Sequence, residues 1–165
     1  MDVGFALPPL MIKCIFESLA LIWPGQITNP ASETVATATE TISWLCACIT
    51  RVDFNVWSIR KAVFEVLASV VASAPSKSLQ QMMFQVVERC CSENGVRDAK
   101  YSMIRVAAGA VLVALTQRHD DHDLALQLTV HKEQIVETIE VLKTSDEPAE
   151  QRVAFQTMTN LLQLQ

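Results

Sequence analysis

The 165-residue sequence predicts an all-α fold, a right-handed α-solenoid of about seven helices: one leading helix followed by three antiparallel helix pairs. Three observations carry that expectation. First, one apolar pattern is written twice: Ile59, Val63, Val66, Leu67 and Val70 follow the spacing of a single helix face, and Ile104, Ala108, Val111, Leu112 and Leu115 repeat it 45 residues later. Second, the helices before these two also match, since Ile42, Leu45, Cys46 and Ile49 recur as Met83, Val86, Val87 and Cys90 at a displacement of 41. Third, an arginine follows the first apolar position of each matched helix (Arg60, Arg105), and an aspartate lies seven residues before each arginine (Asp53, Asp98). A period in this range marks stacked helical repeats, in which each pair covers on its neighbour the apolar face it cannot bury alone.

The elements follow in order. The leading helix, residues 8–23, opens at Pro8–Pro9, where proline is tolerated in a first turn, and stops at Pro24–Gly25. The first pair spans 31–73. Asn29–Pro30 offers an N-cap with proline at N1, and the helix that follows carries Val35, Ala38, Ile42, Leu45, Cys46 and Ile49. After a turn around Arg51–Phe54, Asn55 caps the second helix, which ends near Ser73 before Pro75. The second pair spans 78–117: Ser76 or Ser78 is the expected cap, Asn94–Gly95 the expected left-handed stop, and the next helix covers about 97–117. The third pair spans 124–164, with Ile135, Ile139 and Leu142 on its first helix. Pro148, two residues after Asp146, starts its second, which contains Arg152, Ala154, Met158, Leu161 and Leu162. Short loops inside each pair make its helices antiparallel neighbours.

The length suits one domain able to bury roughly 70% of its unfolded surface. Apolar residues make up 50% and charged residues 19%. A globular chain typically carries about 25% charge, so a large core or a partner surface is needed to absorb the apolar excess. The net charge is −5, which argues against binding nucleic acid through clustered Lys and Arg. The imbalance is local: residues 118–150 hold nine acidic and three basic residues, a net −6. That stretch is either a solvated face or a dock for a basic partner. The longest uncharged apolar run, Val106 to Leu115, is about half of the roughly 20 residues that span a bilayer, so no membrane partner is expected. An acidic start (Asp2) without a basic stretch does not read as a secretory leader.

The paired helices, with Asp before and Ile-Arg at the start of the second helix, resemble HEAT repeats of the armadillo-like α-solenoid class. The motif stands as Asp53…Ile59-Arg60, Asp98…Ile104-Arg105 and, in altered form, Asp146…Arg152, where Gln151 replaces isoleucine and the aspartate lies six residues ahead. The likeness covers roughly residues 31–164. It implies that Asp53, Arg60, Asp98, Arg105, Asp146 and Arg152 form a structural ladder between repeats, and that the second helices line a concave surface. Arginine suits a ladder because its planar fork holds a carboxylate and a backbone carbonyl together. The helices at Trp57-Ser58-Ile59-Arg60 and Lys100-Tyr101 onward are similar in character to those of fungal proteasome-associated HEAT scaffolds, which implies a large protein assembly as partner.

Candidate chemistry is sparse. His119, Asp120, Asp121, His122 and Asp123 form the one cluster with metal-ligand character, but no further ligand follows at helical spacing, and an acidic N-cap in an exposed loop accounts for it. The five cysteines (Cys14, Cys46, Cys48, Cys90, Cys91) sit in apolar helical stretches with neither a zinc nor a redox spacing. They read as core thiols of a reducing compartment, cytoplasm or nucleus. Gly95 and Gly109 are isolated, no phosphate loop or nucleophile elbow is present, and Gly109 reads as a point of close helix approach. No enzyme, cofactor or metal is therefore expected.

The function expected is a non-catalytic scaffold or adaptor that binds protein partners through a curved surface or loop edge. Trp57, Arg60, Lys61, Arg97 and Lys100, near the starts of the two matched helices, are the candidate partner-facing residues. The alternative is a closed helical bundle with an apolar small molecule in its core. Both end segments, Phe5–Trp23 and Ala149–Leu164, lack a polar capping face, so the ends are expected to stack on further repeats or another subunit.

Overall fold

Helical spacing becomes helix throughout the described part of the chain. A computed structural model describes Ile15, residues 32–51 and residues 56–164. Within them lie six α-helices and no strand: α1 (Ser32–Ile49), α2 (Trp57–Ser73), α3 (Ser76–Cys91), α4 (Ser102–Thr116), α5 (His122–Lys143) and α6 (Pro148–Leu162). The expected leading helix, apart from Ile15, and the expected caps Asn29 and Asn55 lie outside the described residues.

The doubled apolar stripe is the centre of the core. All ten of its residues, from Ile59 to Val70 and from Ile104 to Leu115, are buried, because α2 and α4 pack on each other more extensively than any other two helices. The matching stripes on α1 (Ile42, Leu45, Cys46, Ile49) and α3 (Met83, Val86, Val87, Cys90) are buried as well. Contacts fall into a regular scheme. α1 packs on α3 and α3 on α5; α2 packs on α4 and α4 on α6; and the rows meet through the sequential partners α1–α2, α3–α4 and α5–α6. Helices of like position therefore adjoin their counterparts in the next pair.

Several boundaries differ from the expectation. α4 begins at Ser102, not near Arg97, because Asp98 Oδ1 accepts the backbone N–H groups of Lys100 (2.9 Å) and Tyr101 (2.7 Å). That side-chain turn competes with helix formation just ahead of the first turn. Gly95 is not a left-handed stop, since no described glycine has positive φ. The chain instead folds back so that Val96 N–H donates to Cys90 O at 2.8 Å, and a Cβ on Gly95 would collide with that carbonyl. Neither Ser76 nor Ser78 caps α3: Ser76 Oγ donates to Asp121 Oδ2 and Ser78 Oγ to Val35 O at 2.9 Å, so both hydroxyls bridge helix pairs. On α6 the buried face is Glu150, Val153, Ala154, Thr157 and Leu161, whereas Arg152 and Leu162 point to solvent. Gly109 behaves as expected of a close approach: a Cβ there would overlap Val153 Cγ1 of α6.

Candidate functional site: an interpair ladder and its aromatic edge

The described hydrogen bonds and ion pairs linking one helix pair to the next join residues 38 to 48 apart in sequence. At the starts of the second-position helices, Arg60 Nη1 of α2 lies 3.8 Å from Asp98 Oδ2 in the loop before α4, a separation of 38 residues. One step on, Arg105 donates from Nε and Nη2 to Glu150 Oε1 at 3.0 and 2.8 Å, 45 residues away. Its Nη1 donates to Asp98 O at 2.8 Å. The fork thus holds a carboxylate and a carbonyl together, and Asp98 joins Arg60, Arg105 and the first turn of α4 in one knot.

Of the six ladder candidates, Arg60, Asp98 and Arg105 meet in this knot, while Asp53 lies outside the described residues. The carboxylate that meets Arg105 is Glu150, not Asp146. Among the described residues neither Asp146 nor Arg152 enters an ion pair, and both are exposed. Position explains the difference: Glu150 stands 45 residues after Arg105, in the first turn of α6, whereas Asp146 lies in the loop ahead of it. Burial acts to raise the Glu150 carboxyl, but hydrogen bonds from Arg105, Ser102 and Ser145 outweigh it and hold the group below the ordinary carboxylate range.

The far ends of the same helices carry a second set of links that the sequence did not announce. Arg118 Nη1 donates to Val71 O (3.2 Å) and Ala74 O (2.8 Å), separations of 47 and 44 residues. Asn160 Nδ2 reaches Val113 O (3.4 Å) and Thr116 Oγ1 (3.1 Å), again 47 and 44 residues away. At the end of α2 the Arg118 guanidinium supplies a donor to carbonyls of the kind that lack intrahelical partners, whereas Val113 O already accepts from Gln117 N–H at 2.9 Å and Asn160 adds a further donor there. A donor side chain close to the end of α4 and of α6 is the sequence signal.

The partner-facing candidates divide. Trp57 is 39% exposed and its ring stacks on Tyr101 at 5.9 Å between centroids, with Lys100 Nζ 5.0 Å from the Tyr101 ring. The geometry suits a cation–π contact. Arg60 is turned into the ladder, its side chain 11% exposed. Lys61 pairs with Glu65 one turn along α2, and Arg97 Nη2 is directed to Thr138 Oγ1 of α5 at 3.5 Å. Exposed Val56 and Met103 flank the aromatic pair in sequence. Tyr101 was missed as a site residue, although its separation of 44 from Trp57 falls within the repeat register.

The remaining candidates lie in the loop before α5 and in the core. Asp121 caps α5 by accepting from Leu124 N–H at 3.4 Å; the Ser76 hydroxyl, more than any other neighbour, holds its carboxyl below the usual range. His119 Nδ1 lies 3.1 Å from Thr116 O and its Nε2 3.5 Å from Asp120 Oδ1. Among the described residues no three His, Cys, Asp or Glu side chains converge as a metal site. Burial pushes the Cys46 thiol up to about 12 and Cys48 to about 11, and raises Cys90 and Cys91 too. A thiol so placed is a poor nucleophile near neutral pH. No described helix is long and apolar enough to cross a membrane.

No protein-family model matches the chain, and neither a curated protein nor a solved structure is similar to it.

Proposed function

We propose that the chain is a non-catalytic scaffold or adaptor, its helix pairs stacked as a right-handed α-solenoid of the HEAT type, that binds protein partners at the edge where α2 and α4 begin. The observation that supports this most is the recurrence of interpair links at fixed separations: Arg118 and Asn160 reach back 47 and 44 residues to equivalent helix ends. Repeated links of this kind fix each pair on the last and make the array a rigid, shape-defined surface. The likeness to proteasome-associated HEAT scaffolds favours a large assembly as partner, and the buried free thiols favour the cytoplasm or nucleus.

At the edge, the stacked Trp57–Tyr101 pair offers aromatic area already held in place, and Lys100 adds a charge at its rim. Such anchors dominate protein interfaces because little freedom is lost on binding. The test is affinity capture with quantitative mass spectrometry from the native cells, comparing the unmodified chain with Trp57→Ala and Lys100→Glu. Partners enriched on the unmodified chain and lost from both variants support the edge. Partners retained equally by all three place recognition elsewhere.

A further inference from the structure

The outward face of α5 carries an arrangement that neither the ladder nor the aromatic edge uses. Leu126, Val130 and Val141 are 69%, 77% and 48% exposed, although a helix this well packed could have placed polar residues there. Their positions, with Glu133 and Glu137 between them, follow the spacing +4, +3, +4, +4, which keeps all five on one side of the 22-residue helix. Asp123 precedes Leu126 by one turn. Asp123, Glu133 and Glu137 are exposed and, among the described residues, form no ion pair. The helix's two lysines stand apart from this face, and Lys143 is already paired with Glu140 at 3.1 Å. On the neighbouring α3, Phe84 is 63% exposed and lies against His131 of α5, at 6.2 Å between ring centroids.

From this we infer that the α5 face, bordered by Phe84, is a docking surface for a basic amphipathic helix of a partner protein. The charge pattern selects the occupant. Bare apolar side chains alone would accept any greasy surface, but carboxylates interleaved with them at helical spacing, in no ion pair among the described residues although Arg97 stands near the Val141 end, repel acidic partners. A helix with leucine-like residues on one side and lysine or arginine along its borders satisfies both, burying Leu126, Val130 and Val141 while pairing the carboxylates. This surface lies on the α1–α3–α5 row and does not depend on the Trp57 edge.

The test titrates the full chain with a fluorescent 14-residue amphipathic peptide of leucine and lysine, and with its counterpart in which glutamate replaces every lysine. The lysine peptide is expected to bind, more weakly as salt is raised, and the glutamate peptide not to bind. Leu126→Ser with Val130→Ser, both at exposed positions, should weaken binding about tenfold or more; Glu133→Lys with Glu137→Lys should do the same by reversing the charge. Trp57→Ala should leave binding unchanged. Equal binding of the two peptides, no binding of the lysine peptide, or full binding by both double variants overturns the inference. So does a concentration-dependent dimer of the free chain that Leu126→Ser with Val130→Ser dissolves, since the face would then belong to a second copy.

Discussion

Arg105 reaches from one helix pair to the next and meets Glu150 with two hydrogen bonds, at 3.0 and 2.8 Å, on a carboxylate whose side chain is only 1% exposed. The arginine also closes on Asp98 O, so its removal strands a buried charge and a carbonyl together. Arg105→Ala should therefore destabilise the fold by about 3 kcal/mol. Arg152→Ala, at an exposed position with no ion pair among the described residues, should change stability by no more than about 0.5 kcal/mol. Urea midpoints of the two variants measure the contrast, and equal effects would remove Arg105 from the ladder.

The same pair sets a pH dependence. The Glu150 carboxyl is held below its unfolded value, so its contribution is fully present above the unfolded pKa of about 4.3 and is lost as pH falls through the lower folded value. Urea midpoints between pH 6 and pH 3 should fall less steeply for Glu150→Gln than for the unmodified chain. An unchanged acid slope would mean that Glu150 is not held ionised by Arg105.

Gly109 sets how closely α4 approaches α6. Gly109→Ala should cost about 1 to 3 kcal/mol, because the new methyl overlaps Val153 Cγ1 and a packed core resists added volume. Adding Val153→Ala should recover part of that loss. Additive losses in the double variant would show that the two residues do not meet.

Thiol reactivity reports on the first-position row. With Cys14 replaced by serine, the four described cysteines, all buried and all with raised pKa, should react with a thiol reagent at pH 8 only at the rate of opening. Prompt labelling of any of them in the folded chain would contradict the packing of α1 on α3.

The extent to which the sequence foretold this arrangement follows from what periodicity can encode. Burial of Ile59 to Val70 and of Ile104 to Leu115 was legible because a 3.6-residue period fixes one face whatever lies opposite. Loop geometry was not. The late start of α4 depends on one carboxylate, Asp98, taking two backbone donors, and the fold-back at Gly95 depends on the position of the Cys90 carbonyl. The third rung was misplaced because the motif was aligned on Asp146 and Arg152, whereas the contact follows the 45-residue register from Arg105 to Glu150. Tyr101, Arg118 and Asn160 escaped notice since their roles lie in which neighbouring pair they touch, and a single strand of sequence does not display neighbours.

The central claim, that like helices line up in rows, is tested most directly by the distance between α1 and α5. Spin labels at Glu40→Cys and Thr129→Cys, both exposed and near the middle of their helices, report it by electron paramagnetic resonance. With α3 between them, two interaxial steps should separate the helices, a distance centred at about 18 Å or beyond. A distribution centred near a single step of about 9 Å would place α1 beside α5, as a closed bundle does, and would contradict the account.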